Sequence, residues 1–289
     1  MATPTLNIVR CRVPASSANL GPGFDVLAVA LNLYVEVSLE LTEDFAISSE
    51  GFGAGLFDDE RHLAAVVATS VLGHSNFTMH VNSNIPLSRG LGSSAALALA
   101  AGAVAGATDP LTLATEVDGH AENAAASLLG GLVAAGVRDG GVVARPLPLD
   151  PAWRFVVVIP DVELKTADAR NVLPVTVPFA DAVFNLSSLG LLIAGLARHD
   201  QFVASSMDDA LHQNYRMDLV KFARPLLRTL RDAGALGSCW SGAGSTMLGL
   251  SLADTAEAVA HAARQFLEAH GEPGSVLILE ADRTGLVIL

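Results

Sequence analysis

The sequence predicts an α+β protein of two domains, on three observations. Strand-like and helix-like stretches follow one another in irregular order, without a repeated βαβ unit. The 289-residue chain is 51% hydrophobic and only 16% charged, which supplies more than one minimal core and argues against disorder. One proline-rich stretch, PLPLDP from Pro146 to Pro151, interrupts helix and ladder alike and marks a linker between residues 1–150 and 151–289.

The elements follow from periodicity. Thr5–Val13 alternates and reads as a strand. Val26–Leu41 reads as one or two strands, with Val35, Val37, Leu39 and Leu41 on one face. Arg61–Leu72 is helical, Phe77–Asn82 a short strand, and Ser93–Ala105 a helix of strong formers. Leu111–Ser127 holds one or two helices. Gly131–Val137 and Val142–Leu147 form a hairpin around Asp139, Gly140 and Gly141. Beyond the linker, Arg154–Ile159 is a buried strand and Phe179–Ala197 a helix. Asp208–Leu236 is helical with a break at Pro225. Ser238–Ser241 and Thr246–Ser251 are short strands around Gly242 and Gly244. Asp254–Ala269 is an amphipathic helix, and Val276–Leu279 and Leu286–Leu289 close the chain as strands.

Charge and composition exclude several functions. The net charge is −13, and the only lysines are Lys165 and Lys221. Such a chain does not bind nucleic acid or anionic membranes through clustered cations. No apolar stretch reaches the roughly 20 residues of a membrane span, and Met1–Val13 lacks the core of a signal peptide. Cys11 and Cys239 are too few and too far apart for a disulfide framework or a metal-ligand spacing. They read as reduced thiols of a cytoplasmic protein.

The stretch GLGSSA, Gly90–Ala95, stands directly before the alanine-rich helix. It satisfies a dinucleotide pattern, but NIPLSR separates it from the preceding strand and no acid ends a following strand. The chain has no Gly-Lys pair for a P-loop and no G-x-S-x-G elbow. What remains is an anion cradle of bare amides at a helix entrance, or a capped helix after a tight turn. In the cradle, Ser93 and Ser94 cap the helix and donate hydroxyls.

Two further clusters are polar. PASSANLGPGFD, Pro14–Asp25, crowds small residues, Asn19 and Asp25 between two strands; a turn explains Gly21-Pro22-Gly23 but not the preceding SSAN. DGHAEN, Asp118–Asn123, sets His120 and Asn123 on one helix face with Glu116 a turn back, beside an apolar run.

Together with PLSRGLGSSA from Pro86, TADARNVLP (Thr166–Pro174), HQNYR (His212–Arg216) and SGAGST (Ser241–Thr246), these stretches resemble the GHMP kinase superfamily, most closely its homoserine kinase family. The motifs run in order through most of the chain. The resemblance implies a GHMP kinase fold: an N-terminal ribosomal-protein-S5-domain-2-like domain and a C-terminal ferredoxin-like domain. It implies that Pro86, Leu87, Ser88, Arg89, Gly90, Leu91, Gly92, Ser93, Ser94 and Ala95 wrap the phosphates of ATP. Ser94 and either Glu116 or Asp118 would hold Mg²⁺, a cation that binds few protein groups. Two positions depart from the family's pattern. DGHAEN lacks its usual proline and shifts its acids, including Glu122, and Ser245 replaces a proline in the late turn.

The resemblance also implies a substrate, L-homoserine, phosphorylated on its side-chain hydroxyl in threonine synthesis. Arg170 and Arg216 suit its carboxylate through two-pronged hydrogen bonds. Asp25, with Asn123 nearby, suits its ammonium. Asn19 and His120 position the hydroxyl, and Thr166 adds a contact. Asn19 and Asp25 are the candidate catalytic pair, Asp25 as base or solely as the ammonium's partner. The alternatives are a mevalonate- or sugar-type kinase, or a catalytically silent nucleotide-binding regulator. A homodimer is expected from the family alone.

Overall fold

The computed structural model describes residues 8–289. Positions 5–7 of the first expected strand, and the first seven residues of the Met1–Val13 segment, lie outside the described residues. In chain order the elements are β1 Val9–Asn19, β2 Gly23–Leu41, β3 Ala46–Gly51, α1 Leu63–Leu72, β4 Phe77–Ser83, α2 Ser93–Val104, α3 Pro110–Asp118, α4 Ala121–Leu129, β5 Leu132–Arg138 and β6 Gly141–Leu147. They continue with β7 Trp153–Pro160, α5 Thr166–Asn171, α6 Phe179–Ala197, α7 Gln213–Arg216, α8 Ala223–Asp232, β8 Gly237–Trp240, β9 Met247–Leu252, α9 Ala256–His270, β10 Gly274–Leu279 and β11 Val287–Ile288.

The first sheet has seven strands and β2 is its spine. β1 runs antiparallel along β2, but Pro14 faces Tyr34 while Ala15 faces Leu31, so β2 carries extra residues there and bends. The bend lets one strand serve two neighbours. Leu27–Val29 pairs with β5, and Val35–Leu41 pairs with β4. A two-residue loop at Asp139-Gly140, both at positive φ (50° and 79°), closes the β5–β6 hairpin.

The second sheet is antiparallel in the order β10-β7-β9-β8. β7 is buried on both faces, which is why it reads as an unbroken apolar run. Phe155, Val157 and Ile159 join the core under α1 and α2, whereas Val156 and Val158 pack with α8 and α9. The two sheets thus share a core. The proline stretch begins inside β6, where Pro146 and Leu147 still pair with Val133 and Leu132, and only from Pro148 on does it lie between β6 and β7; the chain returns at its end, where Arg12 of β1 faces Val287 of β11.

One open choice is settled locally, and two outcomes differ from the sequence expectation. Gly119, at φ 80°, ends α3 and splits the 111–127 segment into two helices. The 208–236 segment breaks at Val220, which is extended, and not at Pro225. Pro225 sits in the first turn of α8, where an amide hydrogen has no helical partner to lose. α6 is also long and apolar enough, by length and composition alone, to cross a membrane. Asn185 and Ser188 on it are buried against protein.

Candidate active site

The segment before α2 bends through positive φ at Ser88 (53°), Gly90 (75°) and Gly92 (64°). At Gly90 a Cβ would lie 2.2 Å from the Ser241 carbonyl oxygen, and at Gly92 it would lie 2.1 Å from Ser16 Oγ. The glycines are therefore required twice over, by backbone conformation and by close approach. Ser93 and Ser94 do not cap α2, contrary to the cap expectation. Gly92 is the N-cap, without a side-chain cap bond, and the serines are the first helical residues. The amides of Ser93, Ser94 and Ala95 have no hydrogen-bond partner among the described residues. Free amides at a helix entrance, with its partial positive charge, are the chemistry an anion needs.

Ser16 and Ser17 are wholly buried. Ser16 donates its hydroxyl to Asn123 Oδ1 at 2.9 Å, and its amide donates to the Leu91 carbonyl. Ser17 Oγ lies 2.8 Å from Ser241 Oγ, and Ser241 donates to the Gly90 carbonyl at 2.7 Å. These serines brace the glycine loop from beneath, which accounts for the unexplained SSAN. The next residue but one, Asn19, adopts φ 72°. Its Nδ2 donates to the Gly242 carbonyl and its Oδ1 accepts from the Asp25 amide, at 2.8 and 3.0 Å. Asn19 thus ties the early loop to the late glycine turn.

Charged side chains converge beside this frame. Arg170, on α5, donates from Nη2 to both oxygens of Asp25 at 2.8 and 2.9 Å, and from Nε to His120 Nε2 at 3.3 Å. His120 Nδ1 lies 2.9 Å from the Asp118 carbonyl and 3.3 Å from Asp118 Oδ2. Asp118 raises the His120 pKa, while burial and Arg170 pull it down. Arg216 is 2% exposed. Burial, and after it Arg170, lowers its pKa to about 10, so it stays cationic. Its Nε donates to the Ala169 carbonyl and its Nη1 to the Gly242 carbonyl, whereas Nη2 has no partner among the described residues.

One cleft collects most of the expected residues: Asn19, Asp25, Ser88, Gly90, Leu91, Gly92, Ser93, Ser94, Asp118, His120, Asn123, Thr166, Arg170 and Arg216 line it. Pro86, Leu87, Arg89, Ala95 and Glu116 do not. Arg89 turns away, donating to the carbonyls of Pro160 and Asp161, so the lysine-poor cradle gains no cation from it. Glu116 is exposed on the far side of α3, beside Asp109 and Thr112, which removes it from the metal set. Glu122 was not in that set, yet it lines the cleft at 2% exposure, and burial pushes its carboxyl up to about 7. Its signal was faint, an acid in the first turn of a short helix of mostly small and apolar residues.

Asp118 Oδ2 is buried and makes no hydrogen bond of its own, since the His120 Nδ1 beside it at 3.3 Å is turned to the Asp118 carbonyl. With Ser94 and Glu122 in the same cleft, it supplies the hard oxygen donors that suit Mg²⁺. Among the described residues no group of three or more His, Cys, Asp or Glu forms a protein-only metal cage. A second, more apolar hollow shares Ser88, Ser93 and Ser94 with the cleft and continues to Leu87, Leu97, Phe52, Leu56 and Phe57.

Fold and glycine loop together define a class of protein, and comparison gives that class its name. A family model for the GHMP kinases N terminal domain matches residues 61–131, and one for the GHMP kinases C terminal matches residues 185–269. The chain belongs to the GHMP kinases. It is 36% identical over 297 residues to homoserine kinase of Desulfitobacterium hafniense, covering 98% of this chain and 100% of that one. It is 37% identical to homoserine kinase of Carboxydothermus hydrogenoformans, covering 96% and 95%. Among solved structures, homoserine kinase from Cytophaga hutchinsonii superimposes with a TM-score of 0.87 at 28% identity, over 100% of this chain and 99% of that one. Within the GHMP kinases the chain belongs to the homoserine kinase family.

Proposed function

We propose that the protein transfers the γ-phosphoryl group of ATP to the side-chain hydroxyl of L-homoserine, giving O-phospho-L-homoserine for threonine synthesis, and ADP. The observation that carries this is one cleft with free helix-entrance amides at one end and a carboxylate with two arginines at the other. A triphosphate needs the first and a zwitterion the second. The loop from Ser88 to Ser94 holds the phosphates, and the apolar hollow by Phe52, Leu56 and Phe57 takes the base.

Ser94, Asp118 and Glu122 would hold Mg²⁺, which neutralises charge on the transferred group. Arg216, with Arg170, takes the substrate carboxylate, and Asp25 takes its ammonium. Asn19, Asn123 and His120 hold the hydroxyl in line, with Thr166 at the rim. The O–P bond to the substrate forms as the β–γ bridge breaks, and ADP leaves. Both Asp25 oxygens already face a guanidinium, which favours a charge partner over a general base. The transfer then depends on alignment, with the hydroxyl proton passing to the phosphoryl oxygens.

Coupled ADP release with a substrate panel tests the assignment. Turnover is expected on L-homoserine and absent on mevalonate. The opposite pattern would reverse the choice, and ATP binding with no turnover on any hydroxy acid would make the protein a regulator. The two free, buried cysteines suit the cytoplasm. A homodimer would bury the uncharged outer face of α6, where Phe179, Val183, Leu186 and Leu191 are 84%, 50%, 68% and 50% exposed. Leu186→Glu should lower the mass seen by light scattering to that of one chain; an unchanged mass would reject that face.

A further inference from the structure

His212 is 0% exposed and sits behind the arginine assigned to the substrate carboxylate. Its Nε2 lies 2.8 Å from the Gly21 carbonyl, and its Nδ1 lies 3.2 Å from Arg216 Nη1. A carbonyl only accepts and a guanidinium only donates. One tautomer satisfies both: Nε2–H donates to Gly21, and Nδ1 accepts from Arg216. Burial pushes the imidazole down to about 4, which keeps Nδ1 unprotonated at neutral pH.

The ring itself is held on three sides. It stacks on Phe24 at 4.9 Å and 20°, and Arg216 Cζ lies over the same Phe24 ring at 5.2 Å. Asp209 accepts from the amides of Leu211, His212 and Gln213 at 2.9, 2.9 and 2.6 Å, which fixes the backbone that carries the imidazole. Arg216 Nη1 therefore divides its donors between Gly242 and His212, and Nη2 is left without a partner on a residue that lines the cleft. A carboxylate fork needs its donors held in one direction before the ligand arrives.

We infer that His212, with its proton on Nε2, is a positioning residue that aims the Arg216 guanidinium at the substrate carboxylate and ties it to the Gly21 turn of the early loop. This rests on the reading of the cleft as the homoserine site. Phe at position 212 keeps the ring and its stack but removes both hydrogen bonds. Gln keeps a donor for Gly21 and an acceptor for Arg216.

Homoserine and ATP are varied independently for the unaltered protein, His212→Phe and His212→Gln. In His212→Phe the KM for homoserine should rise about 10- to 100-fold, the range of one charged hydrogen bond, with kcat and the KM for ATP within about twofold. His212→Gln should recover most of that loss. An unchanged homoserine KM in His212→Phe, an equal rise for ATP, or no recovery with Gln overturns the inference and leaves the proposed activity standing. No homoserine turnover by the unaltered protein overturns both. Should His212→Phe fail to fold, nitrogen-15 spectra of the histidine-labelled unaltered protein decide: Nδ1 must be unprotonated, and a proton there rejects the arrangement.

Discussion

The two ends of the cleft are made of different material. At the end proposed for the nucleotide the groups that face inward are backbone amides, placed by Gly90 and Gly92, and the loop's own arginine, Arg89, points elsewhere. At the end proposed for the amino acid they are charged side chains from separate elements, each held by another residue: Asp25 by Arg170, Arg170 by His120, Arg216 by His212. A backbone site loses a donor only to proline; any other substitution changes its shape alone. A side-chain site loses charge and shape together. In the proposed reading, a protein with two lysines grips a triphosphate through amides at a helix entrance in their place.

Substitutions should separate the two ends. Arg216→Leu removes a charged donor and leaves the carbonyls of Ala169 and Gly242 without it; the homoserine KM should rise about ten- to a thousandfold in steady-state assays, with the ATP KM unmoved. Gly90→Ala forces a Cβ within 2.2 Å of the Ser241 carbonyl. A displaced cradle should cost about a hundredfold in kcat/KM for ATP, since misplacement near 1 Å has that effect. Equal damage to the KM for both substrates would mean that the two ends are one mechanical unit.

Smaller effects sharpen the contrast. Asp25→Asn keeps the shape of the half-buried pair but not its charge, so the homoserine KM should rise about tenfold. A synthetic substrate without the ammonium should be much less sensitive to that change. Ser94→Ala leaves the amides in place and should raise the KM for MgATP only about three- to tenfold. If ATP kinetics stay normal, the hydroxyl has no part in the cradle.

The smallest effect is thermal. Burial holds the Glu122 carboxyl at about 7 when folded, against an ordinary 4.5. Between those values only the folded chain keeps the proton, so this group's contribution to stability is full below the ordinary pKa and is lost as pH rises through about 7. In metal-free buffer, Glu122→Gln should melt with the unaltered protein near pH 5 and a few degrees above it near pH 8. A gain that is the same at both pH values would show that the carboxyl is not the cause.

Much of the cradle was legible because its demands fall on residue type. Only glycine meets a positive φ together with a contact near 2 Å, so Gly90 and Gly92 could be singled out from the chain alone. The start and end of α6, Phe179 and Ala197, follow in the same way from an apolar run bounded by Pro178 and Arg198. Ser93 and Ser94 were misread as caps because a helix start favours serine generally, and nothing local reveals that Gly92 already occupies that place.

The amino-acid end was legible only as a list. Asp25 and Arg170 stand 145 positions apart, and nothing in either neighbourhood says that they pair. Glu116 and Glu122 look alike along the chain, but Gly119 turns α3 away from α4, so one acid meets solvent and the other the cleft. Sequence alone determined where the backbone must bend and which segments bury their faces, because those constraints act within a few residues. Tertiary structure alone decided which charges meet and which way each guanidinium points, because such contacts exist only after strands, helices and loops far apart in sequence have packed.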